Sequence, residues 1–179
     1  MNLIKTKLEG VYIVEPQIFQ DERGWFVETY SKIKTPEIHC DFVQDNQSYS
    51  KEKGIIRGLH FQDGKYAQAK LVRCIKGAVL DVAVDLRKNS LTYKQWIAVE
   101  ISAENKKQLF IPRGFAHGFL TLTKDVEFVY KADNYYNKEN DRSIKFNDKE
   151  IGIEWGIDNP ILSEKDKKAP LLKNCNFSF

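Results

Sequence analysis

What most limits the folds open to this chain is a rhythm. Short apolar-rich runs return along most of its length with turn residues between them, the pattern of an all-β chain rather than of amphipathic helices. They fall at Val11 to Val14, Trp25 to Tyr30, Ile55 to Phe61, Lys70 to Ile75, Val79 to Leu86, Gln95 to Ile101, Gln108 to Ile111, Phe115 to Leu122 and Val126 to Ala132. Within Val79 to Leu86, the side chains Leu80, Val82, Val84 and Leu86 share one face while Asp81 and Asp85 take the other. That period-two alternation predicts a half-buried antiparallel strand. Gly54, Gly77, Lys88-Asn89-Ser90 and Pro112-Arg113-Gly114 interrupt the runs at turn-like places, and no βαβ alternation is visible. A sandwich, jelly roll or barrel is expected. Helical stretches should be few and short: one near Ser31 to Ile38, a turn beginning near Asn137, and one starting at Ser163, whose hydroxyl is placed to cap the first turn with Asp166 three residues on.

At 179 residues, with no repeat or low-complexity stretch, the chain suits one domain, 1–179. Charged residues make up 30% of it, but 28 basic and 25 acidic side chains nearly cancel and 42% of the residues are hydrophobic, so a core can form and disorder is excluded. The basic residues are dispersed, which argues against a nucleic-acid or anionic-membrane partner. Met1 to Gly10 has no continuous apolar segment, and no run approaches the roughly 20 apolar residues of a membrane span; a cytoplasmic protein is expected. Cys40, Cys74 and Cys175 are odd in number and scattered, so they read as free thiols.

Histidine is scarce, which narrows the chemistry. His39 lies in a polar connection and reads as incidental; His60 lies inside a strand-like run, Ile-Ile-Arg-Gly-Leu-His-Phe-Gln; His117 follows a Pro/Gly turn. Many cupin-type barrels hold a divalent ion through His-x-His, a glutamate and a further histidine, but here Gln62 stands two residues after His60, and no metal is expected. A lone histidine on an apolar strand is most often a packed core residue. Arg57 weakens that reading, because an imidazole and a guanidinium inside one barrel need water or an anion beside them. Strict alternation puts 57 and 60 on opposite faces, and a bulge at Gly58 would bring both inward. Lys70 opens one strand and Tyr130 closes another, so a cation and a phenol could face the same cavity. Asp166, in Leu-Ser-Glu-Lys-Asp-Lys-Lys, reads on its own as one charge of a solvated turn.

Taken together, these segments resemble the dTDP-4-dehydrorhamnose 3,5-epimerase family. The likeness spans nearly the whole chain: Asp21-Glu22-Arg23-Gly24-Trp25-Phe26-Val27-Glu28, Phe42-Val43-Gln44-Asp45-Asn46, Arg57-Gly58-Leu59-His60-Phe61-Gln62, Ala67-Gln68-Ala69-Lys70-Leu71-Val72-Arg73, Ser102-Ala103-Glu104-Asn105, Ile111 to Phe119, Tyr130-Lys131 with Tyr135-Tyr136, and Leu162 to Asp166. It implies a cupin-type jelly roll, a double-stranded β-helix barrel, acting on a dTDP-4-keto-6-deoxyhexose and inverting the carbons on both sides of the ketone. His60 would be the base, oriented by Asp166; Tyr130 the acid on the opposite face; Lys70 the cation beside the enolate oxygen. The ketone is its own electron sink, so no cofactor is implied. Arg23 and Arg57 would pair with the diphosphate; Gln44, Asp45 and Asn46 would meet the nucleotide; Phe26 and Tyr136 would stack on thymine. Glu28, His117, Asp141 and Lys165 match further substrate contacts, although the family more often has glutamate where Asp141 stands. Family dimers form by sheet pairing, with residues near Arg23 and Phe26 completing the neighbour's site, so a homodimer is expected. The alternatives are a monofunctional 3- or 5-epimerase, a 3,4-ketoisomerase, a non-catalytic ligand-binding cupin, or a metal-dependent cupin enzyme.

Overall fold

In the computed structural model, which describes residues 1–179, thirteen strands carry the chain: β1 (Asn2–Lys5), β2 (Tyr12–Glu15), β3 (Ile18–Asp21), β4 (Gly24–Val27), β5 (Gln44–Ser50), β6 (Ile56–Gln62), β7 (Lys70–Lys76), β8 (Ala78–Asp85), β9 (Trp96–Ser102), β10 (Gln108–Ile111), β11 (Phe115–Thr121), β12 (Val126–Ala132) and β13 (Asp141–Ser143). Six of them form one sheet in the order β1-β2-β10-β7-β12-β5, and five form a second, β13-β6-β11-β8-β9. Every pairing within them is antiparallel. The two sheets face each other as a cupin-type jelly roll, and β3 and β4 stand apart as a separate hairpin. No helix is long and apolar enough to cross a membrane.

Val72, Val79, Ala83, Leu109, Ile111, Phe115, Val126 and Phe128 fill the space between the sheets. Burying a side chain of the Val, Leu, Ile or Phe type contributes roughly 1.5–3 kcal/mol. The chain after β13 then wraps back, laying Ile144, Ile151, Trp155, Leu172 and Phe177 over the outer face of β8 and β11, on Val82, Val84, Leu86, Ala116 and Leu120. This corrects the expectation of a half-buried β8: it is covered on both faces, and Asp81 and Asp85 are both 0% exposed. The alternation was real, but its polar face turns toward the barrel interior, alongside Val79 and Ala83.

The helix expected at Ser31 to Ile38 is only a 3-10 turn, Lys32–Lys34. Pro36 disfavours helical backbone at the residue before it, and Thr35 leaves the helical region at φ −130°, ψ 58°. A second 3-10 turn, Lys138–Asn140, follows Asn137, whose side chain accepts from the Asn140 N–H. The one α-helix, α1 (Glu164–Lys167), begins after Ser163, whose Oγ accepts the Asp166 N–H at 3.1 Å.

Candidate active site

A cavity of about 680 Å³ lies between the sheets, and Arg57, His60, Lys70, His117, Tyr130, Tyr136, Asp141, Lys165 and Asp166 all line it. What lets Arg57 and His60 share a wall is Gly58. Its φ is +135°, and a Cβ there would lie 2.6 Å from the Gly118 Cα, so only glycine fits. The β6–β11 register slips at this point, pairing His60 with His117 but Arg57 with Phe119. Arg57 is then held by its own side chain, Nε donating to Ser50 Oγ at 3.1 Å and Nη2 to the Tyr49 carbonyl at 2.8 Å.

His60 Nε2 lies 2.6 Å from Asp166 Oδ1. The carboxylate comes from 106 residues away, on a strap fastened at both ends by backbone: Ile56 N–H to the Ile161 carbonyl and Ile161 N–H to the Gly54 carbonyl on one side, Lys145 N–H to the Pro170 carbonyl on the other. Asp166 is buried, and Ser163 Oγ donates to its Oδ2 at 2.8 Å. Burial alone would raise its pKa; the hydrogen bond and charge of His60, with Ser163 and Lys165, outweigh that and hold the carboxyl below the usual range. An ionised Asp166 can only accept, so His60 Nε2 carries the proton and Nδ1 keeps the lone pair.

Across the cavity, on the other sheet, the Lys70 Nζ sits 5.3 Å from the centre of the Tyr130 ring. Burial pushes the Lys70 ammonium down to about 8, against the pull of Asp81 and Asp141. Burial, then the Asp141 charge, pushes the Tyr130 phenol up, so it stays protonated at neutral pH. The base candidate therefore stands on β6 of one sheet, and the acid and cation on β12 and β7 of the other.

His117 lies beside His60, its Nε2 2.9 Å from Asp81 Oδ2 and its ring stacked 6.0 Å from Phe128. Asp81 went unremarked in the sequence as a site residue; the available signal was an acid alternating with Val79 and Ala83 in a strand with no solvent face. At the mouth, Tyr136 is exposed, and two amides set its loop: Gln44 Oε1 accepts the Tyr136 N–H at 3.0 Å and Gln62 Oε1 accepts the Asn137 N–H at 2.9 Å. Gln44 also donates to Asn46 Oδ1 at 3.1 Å, which leaves the Asn46 Nδ2 buried without a partner. Lys165 and Asp141 pair with each other.

Six of the expected contacts are not among the residues lining this chain's cavity: Gln44 and Asn46, described above, and four more. Asp45 alternates to the opposite face of β5, where Lys131 holds it at 3.0 Å. Arg23 and Phe26 lie on the projecting hairpin, Arg23 paired with Asp21 at 2.6 Å and Phe26 67% exposed. Glu28, just past β4, pairs with Lys34 at 3.0 Å. No three His, Cys, Asp or Glu side chains gather as metal ligands would, and Gln62 spends its amide on the Tyr135 carbonyl. Cys40, Cys74 and Cys175 are unbridged.

The family model described as dTDP-4-dehydrorhamnose 3,5-epimerase matches residues 5–174. A protein of that name from Salmonella typhimurium is 55% identical over 176 residues, covering 96% of each chain. Among solved structures, the dTDP-4-dehydrorhamnose 3,5-epimerase of Elizabethkingia anophelis is 53% identical and covers 97% of each chain with a TM-score of 0.91. A 3,5-epimerase from Legionella pneumophila, solved in complex with dTDP-4-keto-L-rhamnose, is 44% identical with a TM-score of 0.92, over 97% of this chain and 93% of that one.

Proposed function

The chain belongs to the dTDP-4-dehydrorhamnose 3,5-epimerase family, and from that premise we propose how its cavity performs the family's reaction. The enzyme is an isomerase: it takes dTDP-4-dehydro-6-deoxy-D-glucose, inverts C3 and C5, and gives dTDP-4-dehydro-L-rhamnose. Each inversion starts with a C–H made acidic by the C4 ketone. His60 Nδ1 takes that proton, and Asp166 stabilises the imidazolium that results. The electron pair moves onto the C4 oxygen, where the Lys70 ammonium meets the negative charge. Tyr130, protonated and on the opposite sheet, returns a proton to the other face of the planar carbon. The imidazolium then loses its proton to water and the phenolate regains one, which closes the cycle. The carbonyl accepts the electrons throughout, so the chemistry calls for no cofactor.

The observation that carries this reading is the His60–Asp166 contact of 2.6 Å, opening on the cavity that Tyr130 and Lys70 face from the opposite wall. Arg57 is the diphosphate contact in this reading, Tyr136 the thymine platform, and Asn46 Nδ2, His117, Lys165 and Asp141 further polar contacts. Arg23, Phe26 and Glu28 serve a second copy of the chain: the hairpin that carries the first two projects from its own barrel with Phe19, Trp25 and Phe26 exposed, so the working unit is a homodimer. All of 1–179 acts as one domain in this reading, and a nucleotide-sugar substrate supports a cytoplasmic site of action.

Incubation with the substrate in heavy water tests the chemistry. Deuterium should enter at both C3 and C5 with inversion, and His60→Ala should stop that exchange while leaving dTDP binding almost intact. Exchange at one carbon would indicate a monofunctional epimerase, and exchange surviving in His60→Ala would remove His60 as the base.

A further inference from the structure

Tyr135 and Tyr136 lie exposed between β12 and the 3-10 turn at Lys138–Asn140, in neither strand nor helix. No backbone–backbone hydrogen bond reaches residues 134–136. Side-chain amides hold this loop instead. Gln68 Nε2 donates to the Asn134 carbonyl at 2.7 Å, Asn134 Oδ1 accepts the Tyr135 N–H at 2.9 Å, and Gln44 Oε1 accepts the Tyr136 N–H at 3.0 Å. Gln62 grips both sides of Tyr136: its Nε2 donates to the Tyr135 carbonyl at 3.1 Å and its Oε1 accepts the Asn137 N–H at 2.9 Å. Of the three glutamines only Gln62 is buried, at 4% exposure. Glutamine gives up much rotamer freedom on burial and its amide must then be paired. An apolar side chain of similar length would fill the end of β6 without either cost.

We propose that Gln62 is a positioning residue for nucleotide binding: by fixing the backbone on either side of Tyr136, it presents that ring as a rigid platform at the mouth of the cavity. This rests on the reading of Tyr136 as the thymine platform. Gln62 stands two residues after His60 on β6, so both side chains take the same face, and both line the cavity. One strand end thereby ties the loop that holds the nucleotide to the histidine that takes the proton. A loop ordered before the ligand arrives also spares binding the entropy of ordering it.

Gln62→Met keeps the reach of the side chain and removes both hydrogen bonds. Two readouts are needed, dTDP affinity by titration calorimetry and kcat separately from KM. Stacking of a base on an aromatic ring accounts for about 5- to 150-fold in affinity when the ring is replaced by alanine, so Tyr136→Ala should weaken dTDP binding within that range. Gln62→Met loosens the seat but leaves the ring, so it should weaken dTDP about three- to tenfold, with KM rising alongside and kcat staying within about twofold. Gln62→Asn, one methylene too short to reach both partners, carries the same expectation should the methionine variant not fold. The double variant Gln62→Met, Tyr136→Ala should bind dTDP within about twofold of Tyr136→Ala alone, because Gln62 acts through the ring. Additive losses in the double variant would overturn the proposal, as would a Gln62→Met loss confined to kcat, or unchanged dTDP affinity in Gln62→Met where Tyr136→Ala weakens it. A Tyr136→Ala variant that binds dTDP as tightly as the parent would instead overturn the platform reading itself.

Discussion

Replacing Asp166 by Asn tests the pairing on which the mechanism turns. The carboxylate stands 2.6 Å from His60 Nε2 and is held ionised below the ordinary carboxyl range, burial being outweighed by His60 and Ser163. Its hydrogen bond to a developing imidazolium is of the charge-assisted kind, which contributes roughly 1.5–3 kcal/mol net, about twice a neutral bond. The full Coulomb energy at that distance would be larger, but His60 is 30% exposed, and solvent screens part of it. Taking about 2 kcal/mol as the loss, and 1.36 kcal/mol per tenfold in rate, kcat should fall about 30-fold. The amide can also turn its NH2 toward the ring and favour the wrong tautomer, which would deepen the loss. Binding of dTDP should change by less than about twofold, since nothing in Asp166 is spent on the nucleotide. Proton NMR of substrate in heavy water gives the rate, and titration calorimetry with dTDP gives the affinity. A loss of kcat under about threefold, or one found wholly in KM, would refute the claim that Asp166 acts through His60.

Tyr130→Phe removes the proton for the far face but leaves the base in place. Inversion should fall by about 10²–10⁴-fold while deuterium still washes into the original face, read from the ring coupling constants. Gly58→Ala would set a Cβ 2.6 Å from the Gly118 Cα at a φ of +135°; a loss of about 2–4 kcal/mol is expected in urea denaturation, and a variant as stable as the parent would show that the bulge is not required. Asp45→Ala removes only an exposed pair with Lys131, so KM for the nucleotide sugar should stay within about twofold; a tenfold rise would return Asp45 to the binding site.

Nine of the thirteen strands were legible from their apolar runs. Gln108–Ile111 and Val126–Ala132 stand where their runs predicted, and the other seven runs differ from their strands only at the ends. Missing from the sequence reading were β1, β3, β5 and β13; β5, Gln-Asp-Asn-Gln-Ser-Tyr-Ser, escaped because its inward face is polar to suit a wet cavity and its outward face meets solvent. Neither face signals burial, so alternation had nothing to act on. The misreading of β8 has the same root. Polar alternation was taken to mean water on the outside, whereas Asp81 faces the barrel and Asp85 is used up locally by Arg87, Ser90 and Thr92. Arg57 and His60 share a wall through a bulge that the sequence allowed, but its necessity shows only in the approach of Gly118. Nothing local could have joined His60 to Asp166. That link came through a family resemblance, since a lone aspartate on a four-residue helix looks the same whether it is solvated or catalytic.

The architecture bears on why one site can serve two carbons. C3 and C5 flank the same carbonyl, so whichever C–H is broken, the charge arrives on the C4 oxygen, and a single cation in a fixed place stabilises both enolates. Lys70 can be that cation because it is buried in a strand, with little freedom to move. Inversion further demands that the donor of the new proton stand across the sugar plane from the base. Two facing sheets supply that separation directly, with His60 on β6 and Tyr130 on β12. Base and acid on neighbouring strands of one sheet would address the same face and return substrate. On this argument, stereochemistry is set by which sheet each group grows from. Inversion should therefore be abolished by any change that carries the phenol to β11 beside His60, even if its distance to the substrate is kept.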